Sequence, residues 1–331
     1  MKTAKLLVTI CWIMLISSCR TALPAETPIV TPISDEMNIP TFDSEALNAF
    51  RELGREYPGI ILSVRGASEE QVQLDSLLFQ VVPGKPFKGY YLIGNYFDQG
   101  FDFLLIMMLD YEQIWFKLDG EKTFTHKFHL GGSEERIFSV DTPPLSEGFH
   151  DLLILVVRDP DNHSSDIPFR IHTAYYIAKT RVNIYVGNAN PPRIDFTTFS
   201  ETIADSAREG AFILSKQERG NIWEGWFTEN TTPGEHVRYL IRITGDRKDA
   251  QPFALVAFWD YQQTPINGND VLYGILKPNT LITIPACLII PESRGAHEFF
   301  ALYIANPYAE LAREKVVRTV KSSPRVLIVV E

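Results

Sequence analysis

An internal repeat limits what this 331-residue chain can fold into. GIILSVRG at 59–66 is matched by AFILSKQE at 211–218, and the long stretch 81–113 by 230–263. Pro83-Gly84 falls on Pro233-Gly234 and Asp110-Tyr111 on Asp260-Tyr261, both at an offset of 150. SEGFHDLLILVVRDP at 146–160 is matched by SRGAHEFFALYIANP at 293–307, and both copies close alike, with RVNIYVG and RVLIVVE. Solenoid units repeat every 20–50 residues. A period near 150 therefore predicts two whole domains of one fold.

Each copy is a series of short β signals. Phe103–Leu109 and Phe253–Trp259 are unbroken apolar runs, as expected of a strand buried on both faces. Val182, Ile184 and Val186 alternate with other residues, as do Val326, Ile328 and Val330, which predicts half-buried closing strands. Turn sequences such as PGK, FDQG, LDGE, HLGG and DPDN recur about every ten residues. Helical periodicity is confined to a short piece at 44–54 and a second at Thr197–Arg208. The expected class is all-β, with two tandem immunoglobulin-like β-sandwiches at 44–188 and 191–331.

The stretches Gly148-Phe-His150 and Gly295-Ala-His297, each feeding a strand that ends at Asp159-Pro160 or Asn306-Pro307, carry a resemblance. They are similar to a pattern in immunoglobulin-like bacterial surface modules, where a Gly-x-His turn precedes a strand ending in an Asp/Asn-Pro hairpin. That resemblance implies architecture and no activity, because one sandwich hosts unrelated functions.

The first twenty residues are MKTAKLLVTICWIMLISSCR. Lys2 and Lys5 precede an eleven-residue apolar stretch from Leu6 to Ile16, about half of what spans a bilayer. A basic head and a short apolar segment make a secretory signal. Its end, Ile16-Ser17-Ser18-Cys19, resembles the lipobox of bacterial lipoproteins. The resemblance implies cleavage after residue 18 and acylation of Cys19, and several acyl chains on one residue anchor stably. Residues 19–43 hold Pro24, Pro28, Pro32 and Pro40 without apolar period, as expected of an extended tether.

Loss of 1–18 removes two lysines and no acid, taking the net charge from −10 to −12. An acidic chain without a basic patch argues against nucleic acid as a partner. Cys11 leaves with the signal and Cys19 is lipidated, so Cys287 stands alone in ITIPACLII, where a buried inert thiol is expected.

The chemistry-bearing residues point to structural roles. His150 and His297 recur at one place without a companion ligand and read as turn histidines. His126 and His129 are three apart on a strand, hence on opposite faces. Asp110 and Asp260 recur after the buried runs and read as turn formers. Arg158–Asp166 carries three aspartates but lacks the central Gly and terminal Glu of an EF-hand loop. No Gly-x-Ser-x-Gly, Ser-x-x-Lys, His-Glu-x-x-His or phosphate loop is present. Trp115, Trp223 and Trp226 are candidates for an aromatic platform, while Trp259 belongs to a buried run.

The first copy takes 22 steps from Pro160 to Val182, whereas the second takes 19 from Pro307 to Val326. The longer segment carries Asp161, Asn162, His163, Asp166 and His172, so 161–169 is either a recognition loop or drift.

The expectation is a non-enzymatic binding or structural module, lipid-anchored through Cys19 outside the cytoplasm of a bacterial envelope. It has no catalytic residue, cofactor or metal, and its partner is an envelope protein or a polysaccharide. The alternatives are a carbohydrate-binding or carbohydrate-active lipoprotein, and a chaperone that pairs at a sheet edge.

Overall fold

The computed structural model describes residues 48, 51–52, 59–67, 71–75, 77–188, 190–203, 210–217, 224–245, 249–312 and 319–331. The signal, Cys19, the tether, most of the expected helix at 44–54, and Trp223 lie outside them. The described residues belong to one compact unit, Pro40–Glu331.

The first repeat contains β1 (Ile60–Gly66), β2 (Gln71–Asp75), β3 (Leu78–Val81), β4 (Pro86–Asn95), β5 (Phe101–Leu109) and β6 (Glu112–Gln113). It continues with β7 (Phe116–Leu118), β8 (Glu121–Thr123), β9 (Thr125–Leu130), β10 (Glu135–Pro144), β11 (Gly148–Arg158), helix α1 (Ile167–His172) and β12 (Ile177–Val186). The second contains β13 (Glu201–Ile203), β14 (Phe212–Ser215), β15 (Thr228–Thr231), β16 (His236–Thr244), β17 (Gln251–Trp259) and β18 (Gln262–Thr264). It ends with β19 (Leu272–Leu276), β20 (Thr280–Ile289), β21 (Gly295–Ala305), β22 (Val320–Ser322) and β23 (Val326–Val330).

Each repeat is a two-sheet sandwich of the immunoglobulin-like kind. One sheet of the first repeat runs β1-β4-β10-β7-β8, and its counterpart in the second runs β14-β16-β20-β13. The other sheets run β2-β3-β12-β11-β5-β6 and β15-β23-β21-β17-β18, with β9 and β19 pairing along β5 and β17. In both, the closing strand pairs in parallel with an early strand, β12 with β3 and β23 with β15. The shared turns explain the shared sequence. Gly84 and Gly234 lie at φ 77° and 73° after a proline, where only glycine is unstrained. Asp110-Tyr111 and Asp260-Tyr261 have positive φ throughout, the two-residue hairpin turn whose twist matches the flanking strands.

The apolar runs are buried on both faces, as the sequence predicts. Phe103, Leu105 and Met107 of β5 point into the first sandwich, and Phe253, Leu255 and Ala257 of β17 into the second. The alternate residues form a third core between the repeats: Leu104, Ile106 and Met108 with Ala254, Val256 and Phe258. Leu153, Leu155 and Val157 of β11 and Phe300, Leu302 and Ile304 of β21 complete it. The β5- and β17-containing sheets therefore pack against each other, and the β4- and β16-containing sheets lie outermost.

Two expectations are corrected. Thr197–Arg208 is not helical in its described part: Thr197 bridges Gly274, and β13 adds to the edge of β20. The edge position supplies backbone partners that outweigh the weak helical pattern. The closing strands are not half-buried, because Arg181 and Asn183, on the outer face of β12, are covered by the joint. The joint also predicts behaviour. Phe300 stacks on Phe258 with centroids 4.9 Å apart, and Phe300→Ala should cost about 3–5 kcal/mol. Calorimetry should show both repeats unfolding in one transition; two resolved transitions would refute the shared core.

Candidate functional site

Most of the recurring ionisable residues meet at the joint. In the first repeat, His150 Nδ1 lies 2.7 Å from Asp110 Oδ2 and Nε2 lies 3.0 Å from the Ser146 carbonyl. Asp110 Oδ1 also accepts from the Asp151 backbone N–H at 3.0 Å. The second repeat copies this with His297, Asp260, Ser293 and Glu298, at 2.6, 3.0 and 2.9 Å. Both ring nitrogens of His150 face acceptors, so the doubly protonated ring satisfies both. The hydrogen bond to Asp110 raises its pKa above the ordinary histidine value, against the opposing effect of burial.

Behind these pairs lie two buried charge clusters that cross between repeats. Arg181 pairs with Asp151 and donates from Nη1 to the Ala305 carbonyl at 2.7 Å and from Nη2 to that of Asn306 at 3.2 Å. Burial opposes the Arg181 charge, but Asp151 and Tyr111 hold its pKa above the ordinary value. Tyr111 donates to Asp151 at 2.5 Å and accepts from the Tyr308 N–H at 3.1 Å. In the counterpart, Arg325 donates to the Asp159 carbonyl and to Tyr261 Oη, at 3.1 and 2.5 Å, and Tyr261 donates to the Pro160 carbonyl at 2.6 Å. Each repeat thus grips the Asp/Asn-Pro hairpin of the other. Gln113 and Gln263 close the joint reciprocally, each backbone N–H donating to the other's side-chain oxygen at 2.7 and 2.8 Å.

The longer segment after Pro160 belongs to this joint. It forms α1, capped by Asp166, whose carboxylate accepts from the Phe169 N–H at 3.0 Å. Arg170 on α1 is fully buried and donates to both oxygens of Glu298 at 2.8 and 2.9 Å. Burial raises the Glu298 pKa, opposed by Arg325 and Arg170. The extra residues supply a countercharge to the second repeat, a role the sequence alternatives of recognition loop or drift did not include. The three aspartates diverge: Asp159 meets Arg158, Asp161 pairs with Lys127 at 2.6 Å, and Asp166 caps the helix. No group of three or more metal-ligating side chains occurs among the described residues.

The remaining candidates separate. His126 lies on the inward-facing side of β9 and His129 on the other, bonded to Asp102 at 2.8 Å. Trp226 is buried and stacks on Tyr239. Trp259 is partly buried and stacks on His297. Cys287 is not the buried inert thiol expected. β20 alternates, and its Cys287 faces outward, half-buried, with Sγ 3.7 Å from His236 Nδ1. Among the described residues Trp115 is the exposed tryptophan, 54% accessible.

Two shallow clefts open on the outer sheets at matching places. One, about 370 Å³, is lined by Trp115, Lys117, Lys122, Asp141 and the prolines 86, 143 and 144. The other, about 470 Å³, is lined by Lys216, Arg238, Tyr239, Asn267 and Cys287, among others. In register, Asp141 opposes Lys88 as Cys287 opposes Arg238. Where β7 pairs with β10, the second repeat uses one side chain: Asn267 bonds the Pro285 carbonyl and the Cys287 N–H.

No family model and no curated protein matches the sequence. Among solved structures, red sea bream transglutaminase is 10% identical with a TM-score of 0.24, covering 87% of this chain. The chain spans 33% of that enzyme's length. A CARDB domain from Pyrococcus furiosus in complex with di-metal ions is 15% identical with a TM-score of 0.24, covering 39% of this chain and 90% of its own.

Two outcomes are expected from the joint. Arg181→Met strands Asp151 in the interior and should destabilise by about 3–5 kcal/mol in denaturant melts. Because the His150 pKa is raised on folding, its contribution is complete below the unfolded value of about 6.5 and is lost as pH rises through the folded value. Melting temperature should therefore drop across that window, and His150→Gln should flatten the drop; an unaltered pH profile would contradict the assignment.

Proposed function

We propose that the chain is a non-catalytic binding module, lipid-anchored through Cys19 outside the cytoplasm of a bacterial envelope. Its two fused sandwiches then act as one rigid body presenting their outer sheets. The observation that carries this reading is the use of the recurring ionisable residues. Asp110, His150, Asp151 and Arg181, with their counterparts Asp260, His297, Glu298 and Arg325, are bonded to one another or to the opposite repeat. Such groups hold a scaffold together. The anchor is supported by Lys2, Lys5, the eleven-residue apolar stretch and Ile16-Ser17-Ser18-Cys19. Among the described residues no helix is long and apolar enough to cross a membrane.

Carbohydrate binding is the second reading, and the exposed indole of Trp115 in an apolar-walled cleft favours it. A fold of this kind places recognition on exposed features carried by a rigid frame.

Expression in a bacterium fed labelled palmitate tests the anchor. The chain should take up label and partition into detergent, and Cys19→Ala should abolish both. Label retained by the variant would remove the anchor from the proposal.

A further inference from the structure

The Trp115 cleft contains two features its own fold does not require. The first is the indole. Phe116 and Leu118 face the core, so alternation turns Trp115 and Lys117 outward. The second repeat builds the matching cleft around Asn267, and among the described residues no exposed tryptophan lines it. The second feature is charge. Lys117 and Lys122 are direct cross-strand partners in the β7–β8 hairpin, and like charges in that position are destabilising. Asp141 is the Cα partner of Lys117 on the other side, leaving Lys122 as the uncompensated cation, its Nζ 5.3 Å from the Trp115 ring centroid. No ion pair involves Lys117 or Lys122 among the described residues. The lining of the cleft itself thus sets two lysines against the one carboxylate of Asp141, a net positive charge beside an exposed indole in an acidic protein.

We infer that this cleft binds a carboxylate-bearing pyranose of an acidic polysaccharide, an inference that rests on the carbohydrate-binding reading above. The face of a pyranose presents C–H groups carrying partial positive charge, which pack on the electron-rich face of an indole. Phe124, 5.2 Å from Trp115, backs the ring, and Pro86, Pro143 and Pro144 extend the apolar wall. Lys117 stands beside the ring and Lys122 holds its Nζ over it; a ring carboxylate draws Lys122 off the indole face as the sugar takes its place, and completes the row that Asp141 leaves unbalanced. A cleft of about 370 Å³ fits one or two sugar rings and leaves the polymer free to run across the open sheet.

The test uses the full chain in detergent micelles, with polygalacturonate as ligand and its methyl ester as the uncharged equivalent. Affinity electrophoresis should show retardation by polygalacturonate that weakens with salt, and much less by the ester. Trp115→Ala should weaken retardation about tenfold, the size of a lost aromatic stacking contact. Lys117→Gln with Lys122→Gln should remove the preference for the charged polymer while circular dichroism stays unchanged. The inference is overturned by any of three results: no retardation, retardation unaffected by Trp115→Ala, or equal retardation by polymer and ester. Oligoproline binding at Trp115 in place of the polymer would reassign the cleft to peptides. None of these results bears on palmitate labelling, so the anchor stands or falls separately.

Discussion

The structure depends on the contact between the β5–β11 face of one repeat and the β17–β21 face of the other. Without it, two sheets would each expose a broad aliphatic face, and two guanidiniums would lose the carbonyls they reach across to grip. The hydrophobic term is non-directional and fixes only that the faces meet. The Arg181 and Arg325 bonds to the opposite hairpins fix how they meet, because a guanidinium fork tolerates little change in angle. A slide of the two faces would leave buried charges unpaired, which costs far more than an aliphatic mismatch.

The joint has the logic of a two-fold dimer within one chain. Gln113 and Gln263 exchange equivalent bonds, as residues beside an isologous axis do. The symmetry is broken where the carboxylates differ. Asp151 is short and is met by Tyr111, whereas Glu298 reaches further and is met by Arg170 from α1. The longer side chain of Glu298 and the arginine that α1 brings to it thus belong together, and losing Arg170 alone would leave Glu298 facing Arg325 at 4.0 Å.

Much of this was legible in the sequence, and the limits have physical causes. Strand alternation, the Pro-Gly turns and the paired Asp-Tyr hairpins are local, so the all-β class and the repeat could be read directly. That β5 and β17 are buried on both faces was readable too, but what buries the second face was not, since a run of apolar residues does not identify its partner. His150 and His297 were legible as turn residues through their backbone carbonyls; their carboxylate partners were visible as recurring residues without the pairing. Arg170 carried no signal and Arg181 only its recurrence as Arg325, because a buried arginine looks like a surface one until its acceptor, more than 120 residues away, is known. Cys287 was misread for the opposite reason. A string broken only by Thr283 hid a period of two, in which Pro285, Cys287 and Ile289 face outward.

The back-to-back arrangement has a consequence for valency. Four stacked sheets at about 10 Å spacing place the two outer faces about 30 Å apart and pointing away from each other. One stretch of ligand cannot lie on both. In this arrangement a duplicated domain therefore offers one stretch of ligand no second surface, unlike a string of beads on a flexible linker. Under the polysaccharide reading proposed above, multivalent attachment would come from neighbouring copies, with a strength that follows how densely they are packed.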